Sequence, residues 1–166
     1  MSSTNVPNDP FSLFSLSVFA VNGVLMRSGD IITRSLGQSS ARWQVLGRAG
    51  YQPQTVSQMA RDMGASRQSV QYTADTLAKE GLILYADNPA DRRARVLRLT
   101  PKGSDVLAAI YARDHVWTQR VMADLNPAQL LELAQALESV TRIVETHLDR
   151  DISAKNKEHN HEDNNI

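Results

Sequence analysis

Cysteine is absent from the sequence. That excludes a disulfide scaffold, a zinc site built on thiolates and a thiol redox switch. It is compatible with a reducing compartment. The first residues, MSSTNVPNDPF, lack a basic segment followed by an apolar core, so no secretory signal is read there. A long unbroken apolar run is missing too. The stretch from Phe11 to Met26 is interrupted by Ser12, Ser15, Ser17 and Asn22, and reads as too polar and too short for a membrane span. No nucleophile–base pairing and no phosphate-cradling glycine loop occurs, so an enzyme is not expected. His159 and His161 have no further ligands in an ordered frame, and a structural metal site needs about four. Neither a metal nor a cofactor is expected, and there is no internal repeat.

Net charge is also lacking: 18 basic residues face 18 acidic ones. The balance hides an asymmetry. Residues 1–60 carry four basic against two acidic side chains, residues 61–102 eight against five, and residues 103–166 six against eleven. A phosphate backbone needs a local cationic surface, not a basic whole chain. With 166 residues, 42% of them apolar and 22% charged, the chain suits one globular domain with helical extensions.

Residues 1–10 read as a loose arm. From about Phe11 to Leu36, Phe14, Val18, Val21, Leu25 and Ile32 fit a helical face. Leu13, Leu16, Phe19, Val24, Met26 and Ile31 widen it beyond one stripe. A helix apolar on two sides needs two partners, its own core and a second subunit. A second helix runs from about Ala41 to Arg48. Thr55-Val56-Ser57-Gln58 is a capping box, in which side chain and backbone satisfy each other. Val56, Met59, Ala60 and Met63 follow on one face. Gly64-Ala65 turns the chain, Ser66 caps a helix to about Glu80, and Gly81 ends it. Two short helices joined by a tight glycine connection are a helix-turn-helix. Leu82–Tyr85 and Val96–Leu99 then read as strands around turn material at Asn88–Asp91, making a hairpin wing. Pro101 opens a helix to about Asp124. Asn126-Pro127 starts another, to about Leu148, with an apolar stripe of Leu130, Leu133, Ala134, Leu137, Val140 and Val144. The polar stretch from Arg150 reads as a disordered tail.

On a helical wheel Val70, Ala74 and Leu77 face inward, while Gln68, Gln71, Tyr72, Asp75 and Lys79 face outward. Glutamine can bond adenine N6 and N7 together, and a tyrosine hydroxyl can bond phosphate or a base edge. Arg67 and Ser69 stand near the helix N-terminus, where backbone N–H groups favour a phosphate. In the wing, Asp91, Arg92, Arg93 and Arg95 crowd a short turn. Asp91 is expected to hold one guanidinium in a bidentate pair, and a fixed arginine suits the negative minor groove.

These residues carry a resemblance. Asp91-x-Arg93 in the wing, Leu99-Thr100-x-x-Gly103 after it, Leu77-x-x-x-Gly81-Leu82 and Arg42-Trp43-x-Val45-Leu46 together resemble the multiple-antibiotic-resistance regulator (MarR) family. The resemblance covers about Phe11 to Leu148 and is strongest over residues 41–103. It implies a mainly α fold: a winged helix-turn-helix with a small β-hairpin wing, flanked by N- and C-terminal dimerisation helices. The expected division is an arm (1–10), a dimerisation helix (11–36), a DNA-binding lobe (37–103), further dimerisation helices (104–149) and a tail (150–166).

By position, Gln71 and Tyr72 match recognition-helix contacts, Arg93 the minor-groove arginine, Asp91 its supporting acid, and Asp75 a common family acid. The family implies a cytoplasmic homodimer that binds double-stranded DNA, most often as a repressor, and often yields to a small aromatic or phenolic effector. Trp43, Arg27, Arg48 and His115 are the candidates for an effector pocket, although each also reads as an ordinary core, surface or interface group. The alternatives are a ligand-independent repressor or activator, and a winged helix used for protein interaction.

Overall fold

A computed structural model of the chain describes residues 9–162, with side-chain surroundings through residue 154. Helix α1 spans Pro10–Thr33 and passes into a 3-10 turn at Arg34–Leu36. Then follow α2 (Ser40–Tyr51), β1 (Gln54–Thr55), α3 (Val56–Asp62), α4 (Arg67–Lys79), β2 (Ile83–Ala86), β3 (Val96–Leu99), α5 (Pro101–Met122) and α6 (Pro127–Glu162). The chain divides into two compact units, Met1–Trp117 and Thr118–Ile166. Most of the arm expected over residues 1–10 lies outside the described residues. Asp9 and Pro10 already begin the helix: Asp9 caps it by accepting from the Ser12 N–H at 2.9 Å, with Pro10 in the first turn.

Local sequence chemistry sets the helix boundaries of the first unit. Thr55 Oγ1 accepts from the Gln58 N–H at 3.2 Å, and Gln58 Oε1 accepts from the Thr55 N–H at 2.8 Å, so two donors at the start of α3 are satisfied reciprocally. Ser66 Oγ accepts from the Ser69 N–H at 3.1 Å and starts α4. Between them Gly64 takes a φ of +59°, the left-handed conformation that a side chain would resist.

The sheet has the order β1-β3-β2. β3 pairs antiparallel with β2 from Ile83↔Leu99 to Ala86↔Val96, and on its other side with β1 through Gln54↔Leu97 and Thr55↔Val96. The hairpin matches expectation to within a residue. β1 does not follow from pattern, because two residues carry no period; only the partner strand defines it. Thr55 therefore serves twice, as the strand partner of Val96 and as the cap of α3.

The core joins α2, α3, α4 and α5 with strands β2 and β3. Leu46, Met59, Leu77, Ile83, Leu97 and Ile110 are fully enclosed, with Val45, Val70 and Ala74 beside them. Burying each large aliphatic side chain stabilises by roughly 1.5–3 kcal/mol. Leu107 and Ile110 of α5 belong to this core, so the lobe runs past the boundary at Gly103 that the sequence suggests. α2 and α1 approach closely: a Cβ on Gly29 would lie 2.6 Å from Ser40 Oγ, and the Ser40 N–H donates to Asp30 Oδ1 at 2.7 Å.

Most of α1 remains uncovered. Only Gly29, Ile32 and Thr33 are buried, while Phe11, Leu13, Leu16, Phe19, Val21 and Val24 are exposed. An 18-residue window of the helix has a mean hydropathy of 1.4, enough by length and composition alone to cross a membrane. The serines expected to break that run weaken it less than their number suggests. Ser15 and Ser17 donate to the carbonyls of Phe11 and Leu13, at 2.8 and 2.9 Å.

In the second unit α6 carries exposed Leu133, Leu137, Val144 and Leu148. It continues to Glu162 where the polar composition predicts a disordered tail. Neither glycine nor proline interrupts the chain after Pro127, and an established helix propagates at little cost per residue.

Candidate nucleic-acid interface

The outer face of α4 is open. Arg67, Gln68, Ser69 and Tyr72 are exposed, Tyr72 at 75%. The opposite face, Val70, Ala74 and Leu77, is buried as the wheel predicts. The helix N-terminus, capped by Ser66, carries Arg67 on its first position, so a cationic side chain stands beside free backbone donors. At its other end, Arg42 of α2 pairs with both carboxylate oxygens of Glu80, and its hydrogen bonds hold the Glu80 carboxyl below its ordinary value. Lys102 Nζ donates to the Glu80 carbonyl at 2.9 Å and Thr100 Oγ1 to the Gly81 carbonyl at 2.7 Å. α4 is thus clamped from α2 and from the start of α5, and its exposed face is held on a fixed rod.

Gln71 differs from its neighbours. It is half-buried, and its Nε2 donates to Asp75 Oδ1 at 2.9 Å and to the Tyr85 hydroxyl at 2.8 Å. Tyr85 in turn donates to Asp75 Oδ1 at 2.7 Å. Burial, with the Asp75 charge beside it, pushes the Tyr85 hydroxyl up to about 12, so it stays a proton donor across the working range. Composition and helical wheel do not reveal this network, because Tyr85 lies on β2. One signal was available: alternation along Ile83, Leu84 and Tyr85 turns Tyr85 to the same side as buried Ile83, toward α4.

The wing loop is built from side chain-to-backbone turns. Asn88 Oδ1 accepts from the Ala90 N–H at 3.0 Å, and Asp91 Oδ1 accepts from the Arg93 N–H at 2.9 Å. Asp91 thus shapes the backbone under Arg93 instead of gripping a guanidinium, as its charge suggested. A short carboxylate two residues upstream reaches the amide more easily than it reaches a long side chain. Arg92 and Arg93 are exposed and form no ion pair among the described residues. Arg95 is not part of the tip. Its guanidinium lies 5.7 Å from the centre of the Tyr85 ring and donates to the Tyr85 carbonyl, so it braces the base of the hairpin.

The four residues named for an effector pocket are not brought together. Trp43 and Arg48 line an open cleft of about 600 Å³ with Leu25, Met26, Gln44 and Gln54; Arg27 and His115 are absent from its walls. Helix period explains the difference, since Arg27 falls one residue past Met26 and points off the face that meets α2. The Trp43 ring meets Tyr111 edge-on at 6.4 Å. Arg48 donates to the Asp62 carbonyl at 3.1 Å, and Gln54 Nε2 to the Asp62 carboxylate at 2.7 Å. Gln54 lines the cleft, and its Oε1 is buried without a hydrogen-bond partner among the described residues. Among the described residues no cluster of His, Asp and Glu has the makings of a metal site.

A family model described as MarR family matches residues 36–94. The chain is 37% identical over 123 residues to an uncharacterized protein of Mycobacterium tuberculosis, an alignment that spans 74% of this chain and 86% of that protein. Among solved structures it is similar to AbsC, a MarR family transcriptional regulator from Streptomyces coelicolor. The TM-score is 0.70 at 18% identity, covering 86% of this chain and 99% of AbsC. It is also similar to Staphylococcus aureus MarR in complex with salicylate and kanamycin. There the TM-score is 0.65 at 19% identity, covering 79% of this chain and 89% of the other.

Proposed function

Because the chain belongs to the MarR family of winged-helix transcription regulators, we propose that it is a homodimeric repressor that binds an inverted-repeat operator and is released by a small aromatic or phenolic effector. One observation carries the DNA-binding part. A clamped helix presents an open polar face, and beside it a hairpin presents two arginines with no ion-pair partner among the described residues. Unpaired surface arginines gain most where a phosphate backbone or a narrow groove takes the place of water. Two copies of α4 enter successive major grooves, about 34–36 Å apart, and the wings reach the flanking minor grooves.

The uncovered apolar faces of α1 and α6 supply the dimer surface. On each of these helices an exposed apolar face marks an interaction site. A second copy suits α1 better than lipid does, because Asp30 and Arg27 sit on the same helix and the Asp30 carboxylate is engaged with α2. The protein then works in the cytoplasm, where its DNA is. Light scattering at micromolar concentration is expected to give about twice the 18.4 kDa of one chain; a monomer there removes the dimer.

The cleft beside α2 suits the effector. Trp43 offers a ring and Arg48 a guanidinium, and beneath the wall Gln54 Oε1 lacks a donor. Salicylate, bound by the Staphylococcus aureus relative, has a matching chemistry: an aromatic ring, a carboxylate and a hydroxyl. Such a ligand shifts the dimer only if it binds the released state more tightly than the DNA-bound one. The deciding experiment is sequencing of sheared genomic DNA retained by the purified protein. An enriched inverted repeat, bound with an affinity that falls steeply with salt, is the expected outcome. Retained fragments with no shared sequence would sink the operator-binding reading.

A further inference from the structure

The triangle of Gln71, Asp75 and Tyr85 limits what Gln71 can offer outward. The amide cannot turn over, because its Oε1 would then face the Asp75 carboxylate, two acceptors together. The single Tyr85 proton goes to Asp75 at 2.7 Å, so the phenol meets Gln71 only as an acceptor. The donor end of the amide is therefore held inside the protein. Among the described residues Gln71 Oε1 makes no hydrogen bond, and it is not among the buried unpartnered atoms, so solvent reaches it. Arg95 over the Tyr85 ring and hydrogen-bonded to its carbonyl keeps the phenol in place.

A free glutamine matches adenine with both ends, accepting from N6 and donating to N7. This one has its donor end occupied. We propose that Tyr85 and Asp75 are positioning residues that set the base specificity of Gln71, presenting it as an acceptor that reads an exocyclic amino group, adenine N6 or cytosine N4. This rests on the reading of α4 as the recognition helix. Guanine and thymine offer only acceptors in the major groove and are rejected at that position, whereas adenine and cytosine are both accepted.

The test is selection from a random duplex library with the full chain, its Gln71→Ala variant, and Tyr85→Phe and Asp75→Ala. The unaltered chain is expected to select adenine and cytosine about equally at one symmetric operator position, and Gln71→Ala to lose that preference alone. Tyr85→Phe and Asp75→Ala each release one of the two N–H groups of the amide, enough to donate to adenine N7, and each is expected to favour adenine over cytosine there by about tenfold. Binding to random duplex at low salt stays unchanged for Tyr85→Phe and is not weakened for Asp75→Ala, which removes a negative charge from the face. The proposal is overturned if the unaltered chain already selects adenine alone, or if the two variants leave the preference as it was. It is equally overturned if they lose specific and random binding alike, since a positioning role touches only the base preference. If the unaltered chain enriches no site at all, the failure belongs to the DNA-reading assignment.

Discussion

Gly103→Ala lowers the unfolding free energy of the winged lobe by about 3 kcal/mol, the upper end of what overpacking costs. A Cβ at this buried position would lie 1.9 Å from the Leu82 carbonyl oxygen and 2.8 Å from its carbon. Those are backbone atoms, so no rotamer change relieves the clash. The carbonyl cannot retreat freely either, because it accepts from the Thr100 N–H at 3.1 Å. Thr100 is itself committed: its Oγ1 accepts from the Gly103 N–H at 3.0 Å and donates to the Gly81 carbonyl. Displacing Gly103 therefore loosens the end of α4, the start of α5 and the entry to β2 together. Gly64→Ala is the control. Its Cβ would meet nothing within 4 Å, and only the left-handed φ of +59° resists, at about 1 kcal/mol. Urea unfolding followed by circular dichroism separates the two. Equal midpoints for Gly103→Ala and Gly64→Ala would contradict the close approach.

The second large effect is on binding. Arg93→Ala is expected to weaken operator binding about tenfold, close to 1.4 kcal/mol, and to reduce the salt slope by about two ions, one from each subunit. Arg93 is exposed, unpaired among the described residues, and held at the wing by a backbone turned on Asp91. Its loss removes charge from the DNA contact and nothing from the fold. Arg95→Ala makes the informative contrast. That guanidinium is engaged with Tyr85, so its removal alters the thermal melt more than the salt slope. Gel shifts across a salt series check both variants. An unchanged affinity for Arg93→Ala removes the wing from the interface.

Much of this lobe is legible in the chain because its signals are local. The reciprocal bonds of Thr55 and Gln58 lie within one turn, as does the Ser66 cap, and the inward row of Val70, Ala74 and Leu77 follows from helical period alone. Family resemblance, carried by the wing and the Leu99–Gly103 segment, supplied the rest of the architecture. What escaped is what joins distant segments. Gln71 reads as a free contact on a wheel, yet a tyrosine fourteen residues on holds its donor end. Arg95 reads as one of three arginines at a tip, but its side chain turns back onto the Tyr85 ring. Gln54 and Asp62 find each other across α3 with no periodic mark to announce it. Charge run and spacing report which groups are present; which of them are already spent on the protein itself depends on folding.

The central place of β3 has a further consequence for how such a protein can diverge. Its last pair with β2, Ala86↔Val96, ends the anchored part of the hairpin, and residues 87–94 hang beyond it. Insertions or deletions in that overhang change how far Arg92 and Arg93 travel, while the strand register, the α3 cap and the amide of Gln71 stay where they are. If the wing grips DNA and Gln71 reads it, as proposed above, grip and vocabulary sit on separate stretches of chain, so a lineage can strengthen its hold on an old operator or learn a new one without undoing the other.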